Sequence, residues 1–420
     1  MKVFKFGGAA VNNIERITNV KNILKQYKNE KLLIVISAMG KSTNALEKVT
    51  EAFVNNRKED ALQLFDQLKK QHVMTSKYLL VTHYLPCETK LDEIFNSTET
   101  LLQSAPEKSY DFYYDQIVSV GELISTTIMS YFLNEMGVEN EWVDVRKIIK
   151  TDNNFRDANI NWEQTQENVT SIIKPILENK TVVTQGFIGG TIDGDTTTLG
   201  REGSDYTAAV FANMLDAESQ TIWKDVENVM NADPREVRDA IAIPVLNYTE
   251  VIEMAYYGAQ VIHPKTIKPL QNKSIPLYVK CFLDASLPGT VIHNQSVKNL
   301  PPIIVLKKNQ VMMELKSKDF SFIGEQNTGV LYGLFEQLSI RPNLTQNGAI
   351  NMICVFDNRE DKIKQLAAKA SEIFDVQITA GLSLLTIRHY TEESIKRFTE
   401  GKNALVTQQT KQNATWLFEV

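Results

Sequence analysis

The chain has 420 residues, of which 43% are hydrophobic, and its 45 basic and 51 acidic residues leave a formal net charge of −6. This length predicts two to four domains, since ordinary domains hold about 100 to 200 residues. Without a long basic run, the chain is expected to bind neither nucleic acid nor a membrane surface, so its ligands should be small molecules.

The N-terminus is a strand-like run, Met1 to Phe6, without the apolar core of a signal peptide. No stretch approaches the roughly 18 apolar residues of a membrane span. The three cysteines, Cys87, Cys281 and Cys354, lie far apart and form no Cys-x-x-Cys pair, which argues against disulfides and zinc. We therefore expect a cytoplasmic protein.

Apolar runs rich in β-branched residues alternate with helical stretches over the first two thirds of the chain. The strand-like runs are VFKF near Phe4, LLIVIS at 32–37, TVVTQGF at 181–187 and QTIWKDV at 220–226. Such alternation predicts an α/β fold with a mainly parallel sheet between helices. Between about residues 51 and 133 the sequence has long helical periods and little strand signal, which predicts a helical insertion outside the nucleotide cleft.

The last third predicts a different architecture. Pro288-Gly289 and Pro301-Pro302 interrupt the chain, and the proline pair excludes both a helix and a central strand, so we expect a domain boundary near residue 300. From 303 to 420 the pattern is an approximate βαββ repeat in tandem, with QITAG and LSLLTIRHY expected as separate strands. Two small α+β modules for ligand binding or dimerisation would fit this pattern.

A glycine turn follows the first strand. In Lys5-Phe6-Gly7-Gly8 the glycines permit a tight bend that turns backbone N–H groups toward an anion, and Lys5 adds a cation. A plain strand-to-helix turn with a surface lysine is an equally good interpretation of these four residues. The loop SAMGKSTNAL at 37–46 and the helix VGELIST at 120–126 favour a site, because loops at the carboxyl ends of parallel strands lie together.

The segment Thr196–Ala209, TTTLGREGSDYTAA, is the densest group of candidate binding residues. Gly200 and Gly203 allow close backbone approach, and Arg201 offers a planar guanidinium for a carboxylate. Ser204 and Asp205 stand at a predicted helix start, where they could bind an ammonium group. The structural alternative is that they only cap the helix while Arg201 pairs with a surface acid.

The segment Lys224–Val237 follows another strand and contains Asp-Pro-Arg, which would place Arg235 in a defined turn suited to a phosphate. An ordinary polar loop is an equally good interpretation. His263, which precedes Pro264, is interpreted as a packing residue.

Taken in chain order, seven motifs resemble those of aspartate kinases in the amino acid kinase superfamily. They are KFGG, SAMGKSTNAL, SVGELIST, VTQGFIGG, TTTLGREGSDYTAA, NADPREV and AYYGAQVIHPKTI. The resemblance covers about residues 1–294, and 303–420 resembles the tandem ACT domains that these kinases carry. It implies the amino acid kinase fold, a helical insertion, and ATP-dependent phosphorylation of the side-chain carboxylate of L-aspartate, the first step toward lysine, threonine and methionine.

The resemblance also implies residue roles. It assigns catalysis to Lys5, Gly8 and Asp205, and aspartate binding to Ser37, Thr43, Glu122, Arg201, Ser204 and Asp205. It assigns the nucleotide to Lys5, Gly7, Gly8, Lys224, Asp225, Arg235, Gln260 and Lys265. An aspartate carboxylate, with a pKa of about 3.9, is ionised at neutral pH and needs no general base. The nucleotide would be ATP with Mg²⁺, whose ligands the sequence leaves undefined.

Several positions depart from the family pattern, mainly on the nucleotide side. They are Ala10, Glu202, Lys224, Glu227, Asn228, Met230 and Gln260. Glu202 is expected to place a negative charge beside Arg201, and Lys224 or Lys265 to supply the cation missing at Gln260. A catalytically silent amino-acid sensor is therefore one alternative. A glutamate, acetylglutamate or nucleotide monophosphate kinase is another.

For regulation, the resemblance places a lysine or threonine effector against residues 320–350. There the usual aspartate and serine-glutamate pair are replaced by Asn343 and by Gln346-Asn347. These amides can still form hydrogen bonds with an amino acid, although without charge. The open edges of the small sheets predict a homodimer that forms through this region.

Overall fold

The structure is a computed structural model that describes residues 1–259, 261–319 and 321–419. The chain divides into two units. The first consists of Met1–Val229, Ile243–Ile252 and Val261–Val297, and the second consists of Met230–Ala242, Glu253–Gln260 and Lys298–Val420.

The first unit is built on an eight-stranded sheet in the order β10-β12-β11-β7-β1-β2-β4-β3. Its strands are β1 (Lys2–Phe6), β2 (Leu32–Ile36), β3 (Asn140–Val143), β4 (Thr181–Gln185), β7 (Ser219–Lys224), β10 (Val245–Asn247), β11 (Leu277–Cys281) and β12 (Thr290–His293). Every neighbouring pair is parallel except β11 with β12. The predicted α/β fold with a mainly parallel sheet is confirmed.

Two small two-stranded sheets contain the remaining strands of the chain up to residue 293. They are β5 (Ile188–Gly190) with β6 (Thr196–Thr198), and β8 (Val229–Met230) with β9 (Ala242–Ile243). The helices of this part of the chain are α1 (Ile14–Lys25), α2 (Ser42–Val54), α3 (Lys58–Leu79), α4 (Tyr84–Gln103), α5 (Tyr110–Val118), α6 (Val120–Glu135), α7 (Trp162–Asn168), α8 (Lys174–Leu177), α9 (Gly203–Met214), α10 (Tyr248–Tyr257) and α11 (Pro264–Asn272).

The centre of the sheet is buried on both faces. All five residues of β2, the run LLIVI, are buried, as expected for a parallel strand that helices cover on both sides. On β1, the side chains of Phe4 and Phe6 contact Trp223 of β7, and the Phe6 and Trp223 rings stack with centroids 5.9 Å apart. This packing holds β1 and β7 together immediately below their carboxyl ends.

Helices α2 to α6 account for the region where a helical insertion was predicted. By length and composition, the stretch Tyr110–Glu135 could cross a membrane, contrary to the expectation that no stretch comes near that length. However, 89% of its most apolar 18 residues are buried inside the fold. Its apolar character is therefore that of a core helix.

The second unit contains a six-stranded antiparallel sheet in the order β14-β15-β13-β16-β18-β17. Its strands are β13 (Ile303–Ser317), β14 (Leu344–Asn347), β15 (Asn351–Asp357), β16 (Phe374–Arg388), β17 (Ala404–Gln409) and β18 (Asn413–Glu419), and its helices are α12 (Glu325–Gln337), α13 (Glu360–Ala370) and α14 (Glu392–Thr399). The predicted α+β pattern is confirmed. The prediction that QITAG and LSLLTIRHY are separate strands is wrong, because both runs belong to the single strand β16.

The two long strands explain this correction. Strand β13 pairs with β16 along nearly its whole length, with register shifts on both sides of Gln310, between Lys307 and Met312. Beyond these shifts β13 also pairs with β15, while the other half of β16 pairs with β18. The two predicted modules therefore share one continuous sheet. Gly381, with a φ of 76°, lies inside β16 and marks the place where the pattern resembled a turn.

Candidate active site

A cavity of about 530 Å³ lies at the carboxyl ends of the central strands of the first unit. Strand β1 lies between β2 and β7, with Lys5 beside Val35 on one side and Ile222 on the other. Ligands of parallel α/β sheets bind outside this edge. The cavity is lined by Lys5, Ser37, Thr43, Tyr114, Glu122, Arg156, Phe187, Thr198, Gly200, Arg201, Glu202, Gly203, Ser204, Asp205 and Lys224.

Lys5 and Asp205 form an ion pair in the cavity wall. The Nζ atom of Lys5 lies 2.7 Å from Oδ1 of Asp205, and the two side chains are only 13% and 4% exposed. Asp205 stands in the first turn of α9, where a negative charge is favoured by the helix dipole. Apart from this ion pair, the buried Oδ1 atom of Asp205 has no hydrogen-bond partner within the described residues.

Glu122 contributes a second buried carboxylate from the first turn of α6. Its Oε1 atom accepts a hydrogen bond from the backbone N–H of Ala38 at 3.2 Å, whereas Oε2 has no partner in the part of the chain that the structure describes. Burial raises the pKa of Glu122 to about 8, although the Ala38 N–H and the charge of Lys5 act in the opposite direction. A cationic ligand group beside Oε2 would reverse this shift.

The predicted glycine turn packs against the loop that follows β2. A Cβ atom on Gly8 would lie 2.6 Å from the carbonyl oxygen of Ala38, so only glycine allows this approach. The backbone N–H of Gly40 donates to the Gly8 carbonyl at 3.1 Å, and Gly7 precedes the 3-10 turn Gly8–Val11. Ser37 and Thr43 of the same loop line the cavity. The structure thus brings these predicted residues together, and Ala10 is simply part of the apolar core.

The Thr196–Ala209 segment forms β6, a glycine turn and the start of α9. Gly200 has a φ of 76°, and a Cβ atom on Gly203 would lie 2.7 Å from the ring of Phe187. Phe187 itself has a φ of 72°, and its N–H donates to the Thr207 hydroxyl at 3.0 Å. Ser204, buried in the first turn of α9, lines the cavity.

Arg201 and Glu202 have different surroundings although they are adjacent. Arg201 is exposed, lines the cavity and forms no ion pair within the described residues. Glu202 has a φ of 53°, and its Oε2 atom accepts a hydrogen bond from the His263 N–H at 2.8 Å. The carboxylate expected beside Arg201 is therefore bound at the start of α11, where His263 is the N-cap.

The residues expected on the nucleotide side are dispersed. Lys224 ends β7, lines the cavity and donates to the Val261 carbonyl at 2.7 Å, and Asp225 follows in an exposed turn. Arg235 belongs to the second unit, where its exposed guanidinium pairs with Asp233 at 2.6 Å. Gln260 lies outside the described residues.

Lys265 does not extend toward β7. Its Nζ atom donates to Asp157 at 2.8 Å and to the Leu199 carbonyl at 3.0 Å, and it lies 5.1 Å from the centre of the Tyr206 ring. Lys265 therefore holds the Thr196–Ala209 segment in place.

Sequence reasoning missed Asp115 and Arg156. The buried carboxylate of Asp115 accepts three hydrogen bonds, from the N–H of Arg156 and from the N–H and hydroxyl of Thr198, at 2.7 to 3.0 Å. An acid inside the apolar helix YDFYYDQIV was a usable signal for Asp115. Arg156, which lines the cavity, stands in a polar loop that carries no such signal.

Comparisons with known proteins identify relatives of this chain. A profile described as the amino acid kinase family matches residues 1–281. Lysine-sensitive aspartokinase 3 of Escherichia coli strain K12 is 29% identical over 399 residues, which cover 92% of this chain and 86% of that protein. Chloroplastic aspartokinase 2 of Arabidopsis thaliana is 30% identical over 392 residues, or 88% and 69% of the two chains.

A solved structure shows the same architecture. The crystal structure of E. coli aspartokinase III in complex with aspartate and ADP superposes with a TM-score of 0.84 at 26% identity. The match covers 100% of this chain and 96% of that one.

The burial of the Glu122 carboxyl group predicts how the stability of the protein depends on pH. Its folded pKa of about 8 lies above the ordinary 4.5, so the folded protein binds this proton more tightly than the unfolded chain does. The contribution of Glu122 to stability is therefore full below about pH 4.5 and is lost as the pH rises to about 8. We expect Glu122→Gln, which cannot ionise, to become more stable than the wild type by a few kcal/mol, to order of magnitude, at pH 8.5.

Calorimetric melting from pH 5 to pH 8.5 measures this difference. Glu135→Gln is the matched control on the same helix, because the pKa of Glu135 is lowered, so its titration lies below this pH range. A difference between Glu122→Gln and the wild type that stays constant with pH would contradict the assignment.

Proposed function

The chain belongs to the amino acid kinase family, and from this premise we propose that it is an aspartate kinase, which transfers the γ-phosphoryl group of ATP to the side-chain carboxylate of L-aspartate. The observation that carries the proposal is the composition of the cavity. Two buried carboxylates, an arginine that forms no ion pair within the described residues and a lysine at a strand end line a space of about 530 Å³. These groups complement the charges of a small amino acid next to a phosphate.

The substrate's amino and α-carboxylate groups have separate partners in this proposal. The orphaned Oε2 of Glu122 and the carboxylate of Asp205 can accept hydrogen bonds from an ammonium group, which repays the desolvation of these acids. Arg201, without an ion pair in the described chain, can bind the α-carboxylate through two parallel hydrogen bonds. Ser204, next to Asp205, adds a hydroxyl on the same helix turn.

The chemical step needs charge neutralisation rather than proton transfer. One oxygen of the side-chain carboxylate attacks the γ-phosphorus, the bond from that phosphorus to the β–γ bridging oxygen breaks, and ADP leaves with the electron pair. Because the attacking carboxylate is already ionised, no base has to remove a proton. Lys5 at the end of β1 can reduce the repulsion between carboxylate and phosphate, and backbone N–H groups near Gly7 and Gly8 can add to this.

The nucleotide is ATP in this proposal, in keeping with the ADP bound to the E. coli relative. Among the described residues no group of three or more His, Cys, Asp or Glu side chains forms a metal cage. Mg²⁺ carried by ATP needs only one or two protein carboxylates, and Asp205 and Asp225 are acids close to this sheet edge. When bound, Mg²⁺ would neutralise phosphate charge. Of the cations predicted to bind the nucleotide, Lys5 and Lys224 line the cavity, which supports their proposed role.

The second unit is proposed to be regulatory and to join two copies of the chain. Asn343, expected to contact an effector, is already occupied: its amide oxygen accepts from Lys307 at 2.7 Å, and its amide nitrogen donates to Gln310 and Asp357. A lysine or threonine effector would therefore have to use the exposed Gln346 and Asn347 on β14. A cytoplasmic location is in keeping with three buried, unpaired cysteines.

Trapping of the product tests the proposed function. Purified protein with ATP, Mg²⁺ and L-aspartate should form an acyl phosphate that hydroxylamine converts to a coloured hydroxamate. Glutamate, acetylglutamate and uridine monophosphate serve as competing acceptors in a coupled ADP assay. Faster ADP release with any of these than with aspartate would reassign the substrate. Failure to form hydroxamate under any condition would indicate a catalytically silent sensor.

Removal of the Lys5 cation should nearly abolish turnover. We expect Lys5→Ala to lower kcat by about 10³-fold or more, because a single cation at the transferring phosphoryl group contributes on this scale. Lys2→Ala is the matched control, since Lys2 lies on the same strand but pairs with Glu30. Melting temperatures of both variants report folding. Turnover by folded Lys5→Ala close to that of the wild type would remove Lys5 from the mechanism.

Pairing of two chains is tested by sedimentation. We expect a homodimer at micromolar concentration for the full chain, because β14 and β17 end the sheet of the second unit with unpaired edges. A monomer under these conditions would count against pairing through this sheet.

A further inference from the structure

Arg156 lies in the cavity wall but has no role in the function proposed above. We propose that Arg156 is a specificity-determining residue, a second guanidinium that binds the side-chain carboxylate of the acceptor while Arg201 binds the α-carboxylate. The inference rests on the proposed function and deepens it, because two guanidinium groups would select an amino acid with two carboxylates.

The backbone of Arg156 is held by a buried acid. The N–H of Arg156 donates to Oδ2 of Asp115 at 3.0 Å, and the same oxygen accepts from the N–H of Thr198 at 2.8 Å. Asp115 is fully buried on α5, and its Oδ1 atom accepts from the Thr198 hydroxyl at 2.7 Å. One carboxylate therefore fixes the position of Arg156 relative to the strand that precedes Arg201.

The backbone of Arg156 has a conformation that is unfavourable for a residue with a side chain. Its φ is 70°, in the left-handed region where glycine is the residue without a penalty. Asn and Asp tolerate this region better than arginine does. An arginine at a strained position inside a ligand cavity points to a role for its side chain, because glycine would satisfy the backbone better.

The guanidinium of Arg156 is positioned by two tyrosine rings and one carboxylate, while most of its N–H groups have no partner within the described residues. Its centre lies 4.5 Å from the ring centroid of Tyr114 and 5.6 Å from that of Tyr110. Nη1 donates to Asp111 at 3.0 Å, and no other hydrogen bond of the guanidinium is found within the described residues. The two partners of this ion pair are 49% and 54% exposed, so the pair is weak and can give way to a substrate carboxylate.

Arg156 also lies against the turn that carries Arg201. A Cβ atom on Gly200 would approach Asp157 Oδ1 to 2.6 Å and the Arg156 carbonyl oxygen to 3.4 Å. The carboxylate of Asp157 accepts a hydrogen bond from the ammonium group of Lys265, which also donates to the Leu199 carbonyl. These contacts join the Arg156 loop to the Thr196–Ala209 segment. The second cation is thus on the substrate side of the cavity, apart from Lys224 on β7.

The charge balance of the cavity supports a dicarboxylic acceptor. Of the acids in its wall, Glu202 is bound to the His263 N–H and Asp205 is paired with Lys5. Arg201 has no acidic partner among the described residues and the only one of Arg156 there is the exposed Asp111, so both guanidinium groups can serve the acceptor. Aspartate carries two carboxylates and one ammonium, which match these two guanidinium groups and Oε2 of Glu122, an atom without a partner among the described residues.

Arg156→Gly separates a functional role from a structural one. Glycine adopts the φ of 70° without strain and retains the N–H that donates to Asp115, so only the side chain is lost. We expect the melting temperature to stay the same or rise, while KM and Kd for aspartate increase about 10- to 100-fold, as for a lost charge-assisted hydrogen bond. The KM for ATP should change less than about threefold, because the lost contact is with the acceptor and not with the nucleotide.

Two further variants serve as controls. Asn56→Gly removes the side chain of another left-handed residue, with a φ of 56°, that does not line the cavity, and should leave aspartate binding unchanged. Arg156→Lys retains the charge and should recover part of the aspartate affinity despite the strained backbone. Aspartate Kd is measured by titration calorimetry, in parallel with the hydroxamate assay.

The outcomes separate the two proposals. Wild-type turnover with an unchanged aspartate KM in Arg156→Gly overturns the role of Arg156 and leaves the kinase assignment in place. An increase confined to the KM for ATP overturns it as well, because it assigns Arg156 to the nucleotide. If the wild type binds aspartate without turnover, the kinase assignment falls, and the ratio of Kd values still decides the role of Arg156. If the wild type does not bind aspartate, both fall.

Discussion

Three ionisable groups with little exposure at one edge of a parallel sheet are the constraint on which the rest of this active site depends. Lys5, Asp205 and Glu122 are withdrawn from water, and isolated buried charges are costly. The ion pair offsets part of this cost for Lys5 and Asp205. For Glu122 burial instead favours the neutral acid, so its pKa is raised to about 8. A substrate ammonium would complete this arrangement, and so ligand binding and ionisation of Glu122 are coupled.

Three residues near the cavity have a strained backbone conformation. Phe187, Glu202 and Arg156 all have positive φ values, each of which costs about 1 to 2 kcal/mol for a residue with a side chain. Each strained residue has a compensating contact. Phe187 donates to Thr207, Glu202 accepts from the His263 N–H, and Arg156 donates to Asp115. The neighbouring structure therefore stabilises turns that local preference alone would not form.

The second unit has apolar clusters on both faces of its sheet. Its helices α12 and α13 pack on one face around Leu331, Phe335 and Leu366, and the opposite face has a smaller apolar cluster that includes Val355 and Leu417. Near the register shifts of β13, Lys307, Gln310, Asn343 and Asp357 form a hydrogen-bonded network. Partial burial lowers the pKa of Lys307. This network occupies the polar groups of Asn343 with partners inside the second unit.

Local sequence determined the elements and the chemical types of the site. Apolar runs such as LLIVI identified the central strands, because strands that helices cover on both faces need continuous apolar side chains. The glycine turn at Gly7-Gly8 and the dense polar segment Thr196–Ala209 identified residues that the structure brings into one cavity, because parallel strands end at a common edge.

Only the tertiary structure decided which charges remain free. Glu202 and Lys265 are committed to partners 61 and 66 residues away along the chain, and Arg235 pairs with its own neighbour Asp233. Arg156 and Asp115 joined the site through contacts between an insertion helix and a distant loop. The physical reason is that the availability of a charged side chain for a ligand depends on the groups that surround it in space, and the packing of the chain decides which groups those are.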